Sequence, residues 1–145
     1  SGYFRNEEAT ASALVDGWYR TGELAERDDE GYHYIVGRAK EIIRTGGESV
    51  APVEVDLVLQ QHPAIADCAV AGVPSDDWGE VITAFVVLRP GHTLDLDGLR
   101  RHCDDKLAKH KHPRALHFVD SIPRTGTTGQ VQRRLLVDIA KASLV

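Results

Sequence analysis

The side chains able to do chemistry gather in a few short stretches of this 145-residue sequence. Residues 124–130, RTGTTGQ, set threonines and glycines in one run. Hydroxyls and unhindered backbone N–H groups in such a run can cradle a phosphate. Residues 106–114, KLAKHKHPR, and the pair Arg133–Arg134 concentrate positive charge in the last third, where a small polyanion could be held. The His110 and His112 spacing suits no standard zinc site, and no metal is expected. Gly46 and Gly47 tolerate positive φ, so a ligand or another chain can approach their backbone closely. Cys68 and Cys103 lie far apart in unlike contexts and read as reduced cytosolic thiols.

Elements to carry these groups follow from pattern. Asn6 caps a short helix that has two glutamates in its first turn. Aromatic and apolar residues on either side of Asp28–Asp29–Glu30–Gly31 predict a hairpin, residues 18–26 with 32–37. EIIRTGGESV predicts a second, smaller hairpin with Gly46 and Gly47 at its tip. Pro52 opens a helix that stops near His62 and Pro63. ADCAVAGVP and EVITAFVVL read as β-branched strands joined by the turn SDDWG. Asp95 or Asp97 starts an amphipathic helix carrying Leu99, Cys103 and Leu107. ALHFVD is a strand, the Thr/Gly loop follows, and a last helix runs over residues 132–142. This order predicts an α+β fold: helices on one side of a small, largely antiparallel or mixed sheet. The front hairpin need not share that core, and it reads as the remnant of a larger domain.

Hydrophobic residues make up 42% and charged residues 27%, an ordinary balance for a globular protein and unlike a disordered one. The formal net charge of −5 argues against nucleic acid as a partner. No apolar run approaches the roughly 20 residues of a membrane span, and the first residues lack a signal-peptide layout. A cytoplasmic location is expected.

Four stretches carry a family resemblance: GWYRTGELA (17–25), GRAKEIIRTGGESVAPVEVD (37–56), DDWGEVITAFVVL (76–88) and PRTGTTGQVQRRLL (123–136). In this order they resemble the C-terminal part of the adenylate-forming superfamily of acyl- and aryl-CoA synthetases, luciferases and peptide-synthetase adenylation domains. The resemblance implies ATP- and magnesium-dependent activation of a carboxylic acid to an acyl-adenylate, then acyl transfer to a thiol. It implies a mobile C-terminal lid over residues 38–145, with residues 1–37 ending a large N-terminal domain. That large domain is the expected partner, without which no activity and no stable cofactor binding are expected. The acceptor would be CoA or the pantetheine of a carrier protein.

The same resemblance gives individual residues their roles. Glu23 falls where the family has an aspartate gripping the ribose hydroxyls, and a carboxylate can accept both hydrogen bonds of a diol. Arg38 matches an arginine near the nucleotide. Lys40 falls at the hinge. Gly46 and Gly47 match glycines lining the pantetheine tunnel; a plain two-residue turn explains the same pair, and the surrounding motif tips the balance toward the tunnel. Trp78 falls where an aromatic packs against pantetheine, or else packs on the domain's own edge. His110, His112 and Arg114 fall against the nucleotide end of CoA, where phosphates favour positive charge; solvated loop charge is the alternative.

Gln130 departs from the pattern. The family has a lysine there, bridging the acid carboxylate and the α-phosphate, and such preorganised charge is worth on the order of several kcal/mol. Glutamine donates hydrogen bonds but carries no charge, and the loop is one residue longer than usual. The resemblance therefore implies weakened adenylation, while thioester formation survives. TGTTG also resembles the phosphate loop of the large domain, but its flanks, PR and VQRRLL, fit the lid loop. A lid for a carrier-protein-loading enzyme and a binding module without chemistry are the alternatives.

Overall fold

The computed structural model describes residues 2–143. The chain divides into two compact units, one up to Lys40 and one from Glu41 onward.

The first unit begins with α1, Glu7–Ala13, whose first turn is closed by Asn6 Oδ1 accepting from the Ala9 N–H at 2.9 Å. Two hairpins follow, not one. β1 (Leu14–Val15) pairs with β2 (Trp18–Tyr19), and β3 (Glu23–Arg27) pairs with β4 (His33–Arg38). The expected strand over 18–26 is therefore split. Asp16 (φ 52°) and Gly17 (φ 81°) form a tight two-residue turn that folds Trp18 back onto Val15. Gly22, at φ 76°, then breaks the chain before β3 begins. Among the described residues of this unit only Gly37 is buried, and Tyr3, Phe4, Trp18, Tyr32, Tyr34 and Ile35 are exposed.

The second unit is built on a five-stranded mixed sheet. Two long strands, β7 (Ile65–Ser75) and β8 (Gly79–Leu88), pair antiparallel along their whole length. The other edge of β8 is shared. Its start meets β5 (Ile43–Thr45) at Thr45↔Gly79, and its middle runs parallel to β9 (Ala115–Phe118). β6 (Glu48–Val50) closes the outer hairpin against β5.

Side chains alternate across a strand, and in β7 and β8 both faces are apolar. Cys68, Val70, Ile82, Ala84 and Val86 share one core with α2 (Pro52–Leu59) and α3 (Leu96–Cys103) through Val55, Leu59, Leu99 and Cys103. Ala69, Ala71, Val73 and Phe85 form the other core with Leu136 and Ala140 of α4 (Arg133–Ala142). Helices thus cover both faces, where the sequence reading put them on one. The continuous run AVAGV in β7 is the reason, because a strand apolar on both sides needs two covers. Asp95, not Asp97, caps α3, accepting from the Gly98 N–H at 2.7 Å. No helix among the described residues is long and apolar enough to cross a membrane.

Phe85 is fully buried and Phe118 is 54% exposed, though the two lie on neighbouring strands. Phe85→Ala should cost about 3–5 kcal/mol of unfolding free energy in urea titrations. Phe118→Ala should cost less than about 1 kcal/mol.

Candidate functional site

The turn between β7 and β8 and the tip of the β5–β6 hairpin meet. Thr45 pairs with Gly79, and the Gly46 N–H donates to the Trp78 carbonyl at 2.9 Å. Gly46 and Gly47 both have positive φ, 58° and 86°. A Cβ on Gly46 would lie 3.0 Å from two atoms of the Trp78 ring, whereas one on Gly47 would meet open space. The guanidinium of Arg114 lies over the same indole, its carbon 3.7 Å from a ring centroid. Such a cation–π contact is worth ~0.5–1 kcal/mol at an exposed site. Three residues expected at the acceptor end therefore meet at the Trp78 ring: Gly46 backbone, the indole itself and the Arg114 charge. Gly47 adjoins it with uncovered backbone.

The rest of the basic run divides. Lys111 Nζ sits 2.7 and 2.8 Å from the two Glu54 carboxylate oxygens, fastening the turn Lys109–Lys111 to the start of α2. His112 is only 4% exposed, and its Nε2 donates to the Leu107 carbonyl at 3.1 Å. The ring is turned into the interior of its own loop, away from the exposed face on which CoA was expected. His110 stays half-buried on the turn.

The Thr/Gly loop is a closed hairpin, held by the Arg124↔Val131 bridge. Three of its amides serve the loop itself. The Thr125 N–H reaches the Gln130 carbonyl at 2.8 Å, the Gly129 N–H reaches the Thr125 carbonyl at 3.0 Å, and the Gln130 N–H reaches Thr125 Oγ1 at 3.1 Å. The Thr125 and Thr128 hydroxyls pair at 2.6 Å. The loop presents the half-buried Gln130 at its exit. Arg124 anchors the loop on Asp67 at 2.8 Å.

Asp67 and Ser75 both lie in β7, eight residues apart (75 − 67). At ~3.3 Å per residue the loop's anchor and the Trp78 end of the sheet are separated by about 26 Å.

Sequence reasoning placed Arg133 in a basic pair open to a polyanion and missed its internal role. Its guanidinium is a hub: Nη2 to Asp56 Oδ2 at 2.8 Å, Nε to Glu41 Oε2 at 3.1 Å, and Nη1 to the Val70 carbonyl at 2.7 Å. Asp56 Oδ1 accepts from the Val70 N–H at 2.7 Å. These contacts tie the first turn of α4 to α2, to β7 and to the start of the second unit. The partners lie 77 and 92 residues away in sequence, so no local pattern announces them. Burial pushes the Asp56 carboxyl above its ordinary range, and Arg133 and the Val70 amide pull it part of the way back. The neighbouring Cys68 thiol is pushed up to about 12, chiefly by burial and then by Asp56; it is an inert core side chain.

In the first unit Glu23 and Arg38 sit opposite each other on β3 and β4, with Arg38 Nε 3.1 Å from Glu23 Oε1. The two expected nucleotide residues thus form a partly exposed pair. Lys40 is exposed in the 3-10 turn Ala39–Glu41, at the division between units. Among the described residues no group of three or more His, Cys, Asp or Glu could hold a metal ion.

The fold, with a stacked Trp and glycine pair at one end and a Thr/Gly loop anchored far from it, defines a small α+β module of one known kind. The chain belongs to the family described as the AMP-binding enzyme C-terminal domain, whose model matches residues 54–128. Among curated proteins it is 43% identical over 141 residues to the sulfoacetate–CoA ligase of Cupriavidus necator, covering 97% of this chain and 28% of that protein. It is 40% identical over 134 residues to the 2-succinylbenzoate–CoA ligase of Geobacillus kaustophilus, covering 92% and 27% respectively. Among solved structures it matches ATP-bound MatB from Rhodopseudomonas palustris with a TM-score of 0.87 at 38% identity, covering 100% of this chain and 29% of that one. The chain spans about a quarter of the length of the curated relatives it matches.

Arg133→Met leaves Asp56 buried without its counter-charge, which should cost about 3–5 kcal/mol near neutral pH. The sign with pH follows from linkage. A carboxyl protonated more readily in the folded than in the unfolded state loses stability as pH rises from its unfolded value, 3.8, through its folded value. Removing Arg133 raises the folded value further. Urea titrations should therefore show the deficit of the variant growing as pH rises above 3.8 and shrinking below it. A deficit independent of pH would contradict this account.

Proposed function

We propose that this chain is the mobile lid of an AMP-forming acid–CoA ligase, working with a large N-terminal domain that supplies the acid pocket. Residues 1–37 would complete that large domain, and residues 38–145 would be the lid. Acid activation would use ATP with magnesium, and CoA would accept the acyl group. No side chain of this chain is assigned to the metal. A cytoplasmic location belongs to the same proposal.

The observation that carries this reading is the distance between the two functional ends of one rigid sheet. The Gly46–Trp78–Arg114 stack stands at the β7–β8 turn, and the Thr/Gly loop is anchored about 26 Å away along β7. A single active site cannot meet both at once, so a lid with these two ends must present them in turn. An exposed Lys40 between the compact units is where the backbone would turn.

At the acceptor end, uncovered backbone at Gly47 leaves room for a slender pantetheine arm, the indole offers it an apolar wall, and Arg114 offers a phosphate its charge. His110 can add to that charge; His112 is not part of the surface. Glu23 and Arg38 would exchange their mutual pair for ribose and phosphate oxygens. At the adenylation end, Gln130 can donate a hydrogen bond but supplies no charge to the pentavalent phosphorus centre. We therefore assign the lid a competent thioester step and a weak acid-activation step.

In the complete ligase, Gln130→Lys should raise acyl-adenylate formation on the order of a hundredfold, with thioester formation from preformed acyl-adenylate unchanged. Trp78→Ala should do the reverse, raising KM for CoA about tenfold while adenylation holds. No gain from the lysine would remove Gln130 from the adenylation position. A KM effect seen with a carrier protein and not with free CoA would select the carrier-loading reading.

A further inference from the structure

Two positions that matter most in this reading, Lys40 and Gln130, are 90 residues apart (130 − 40). One side chain joins their neighbourhoods. Arg133 follows Gln130 by three residues and touches Glu41, the residue directly after Lys40, at 3.1 Å. The chain between them has little slack: the Gln132 N–H is fixed to the Pro123 carbonyl at 2.8 Å, and the Arg124↔Val131 bridge closes the loop just before it.

The contact with Glu41 is surplus to what the core requires. Asp56 already neutralises Arg133 from within the second unit at 2.8 Å, and Asp56 is in turn held by the Val70 amide. A second carboxylate on one guanidinium adds little to neutralisation, yet both side chains are kept from water, at 10% and 18% exposure. A pair so shielded holds its geometry better than a solvated one. What distinguishes Glu41 is its place, at the first residue of the second unit.

We propose that Arg133 is a positioning residue that clamps Glu41, ending the hinge at Lys40 and holding the exit of the Thr/Gly loop in fixed register with it. This rests on Lys40 as the hinge and Gln130 as the adenylation position. With the clamp in place, backbone rotation is confined to Lys40, and the loop is carried to the nucleotide as part of one rigid piece. Without it, rotation spreads into Glu41 and Ile42. The loop then reaches the nucleotide in a range of orientations, and the chemical step slows while ATP binding by the rest of the enzyme does not change.

The test uses the complete ligase carrying Gln130→Lys, with Glu41→Ala and the conservative Glu41→Asp added separately. Glu41→Ala should lower the single-turnover rate of acyl-adenylate formation about tenfold with KM for ATP unchanged. It should also lower amide-exchange protection over residues 40–43 about tenfold, while α3 keeps its protection. Glu41→Asp should restore most of both. Unchanged protection at 40–43 overturns the clamp, as does loss of protection in α3 as well, which marks general destabilisation. Unchanged turnover alongside lost protection also overturns the proposal, because the clamp would then not serve the loop. If Gln130→Lys itself gains nothing over Gln130, the loop assignment has failed instead, and the exchange data alone decide the clamp.

Discussion

The second unit depends on one buried charge and its partners. Arg133 lies where α4 crosses onto the sheet, and its three arms reach Asp56 of α2, the Val70 carbonyl of β7 and Glu41 at the start of the unit. An arginine in that position is costly to dehydrate and becomes favourable only when its charge is paired and hydrogen-bonded. Because the matching groups come from three elements, the arginine fixes their mutual placement in a way that apolar contacts, which tolerate sliding, do not. The two cores on either face of the sheet supply the bulk of the driving force. The arginine decides which arrangement of helix and sheet that force settles on.

Fixing α4 fixes what precedes it. The Thr/Gly loop is closed by its own hydrogen bonds, anchored by Arg124 on Asp67, and continued into α4 through Gln132. At the far end of the same strands, the Gly46 amide is bonded to the Trp78 carbonyl, and Arg114 lies over the indole. Both ends are therefore rigid with respect to a single sheet. In the proposed lid, the two ends would therefore serve one reaction centre by motion of the whole piece.

Much of this was legible in the residues. Pro52, an aspartate at 95 or 97 and the β-branched runs of β7 and β8 mark their elements without reference to anything distant, and the glycine pair marks its turn. Local signals were also passed over: Asp16–Gly17 between apolar residues is a strong hairpin mark just ahead of the expected strand, and Gly22 divides that strand. Other features had no local signal. Whether α4 shares a face with α2 depends on which side of β7 is left uncovered. His112 turns inward because Leu107 places a carbonyl beside it, and nothing in KHKHPR separates that histidine from His110. Arg133 resembles its exposed neighbour Arg134 until Asp56 and Glu41 are brought to it by the fold. The adenylation and acceptor residues were suggested by resemblance, and the structure adds which of them touch.

The central claim is that two ends of one rigid sheet serve a shared reaction centre alternately. Amide exchange of the complete ligase, held first with ATP and acid and then with an acyl-adenylate analogue and CoA, tests it most directly. The account predicts that residues 125–130 gain protection in the first complex and residues 46–47 in the second, each loop keeping its unliganded exchange rate when the other is covered. Protection of both loops in the same complex would contradict it.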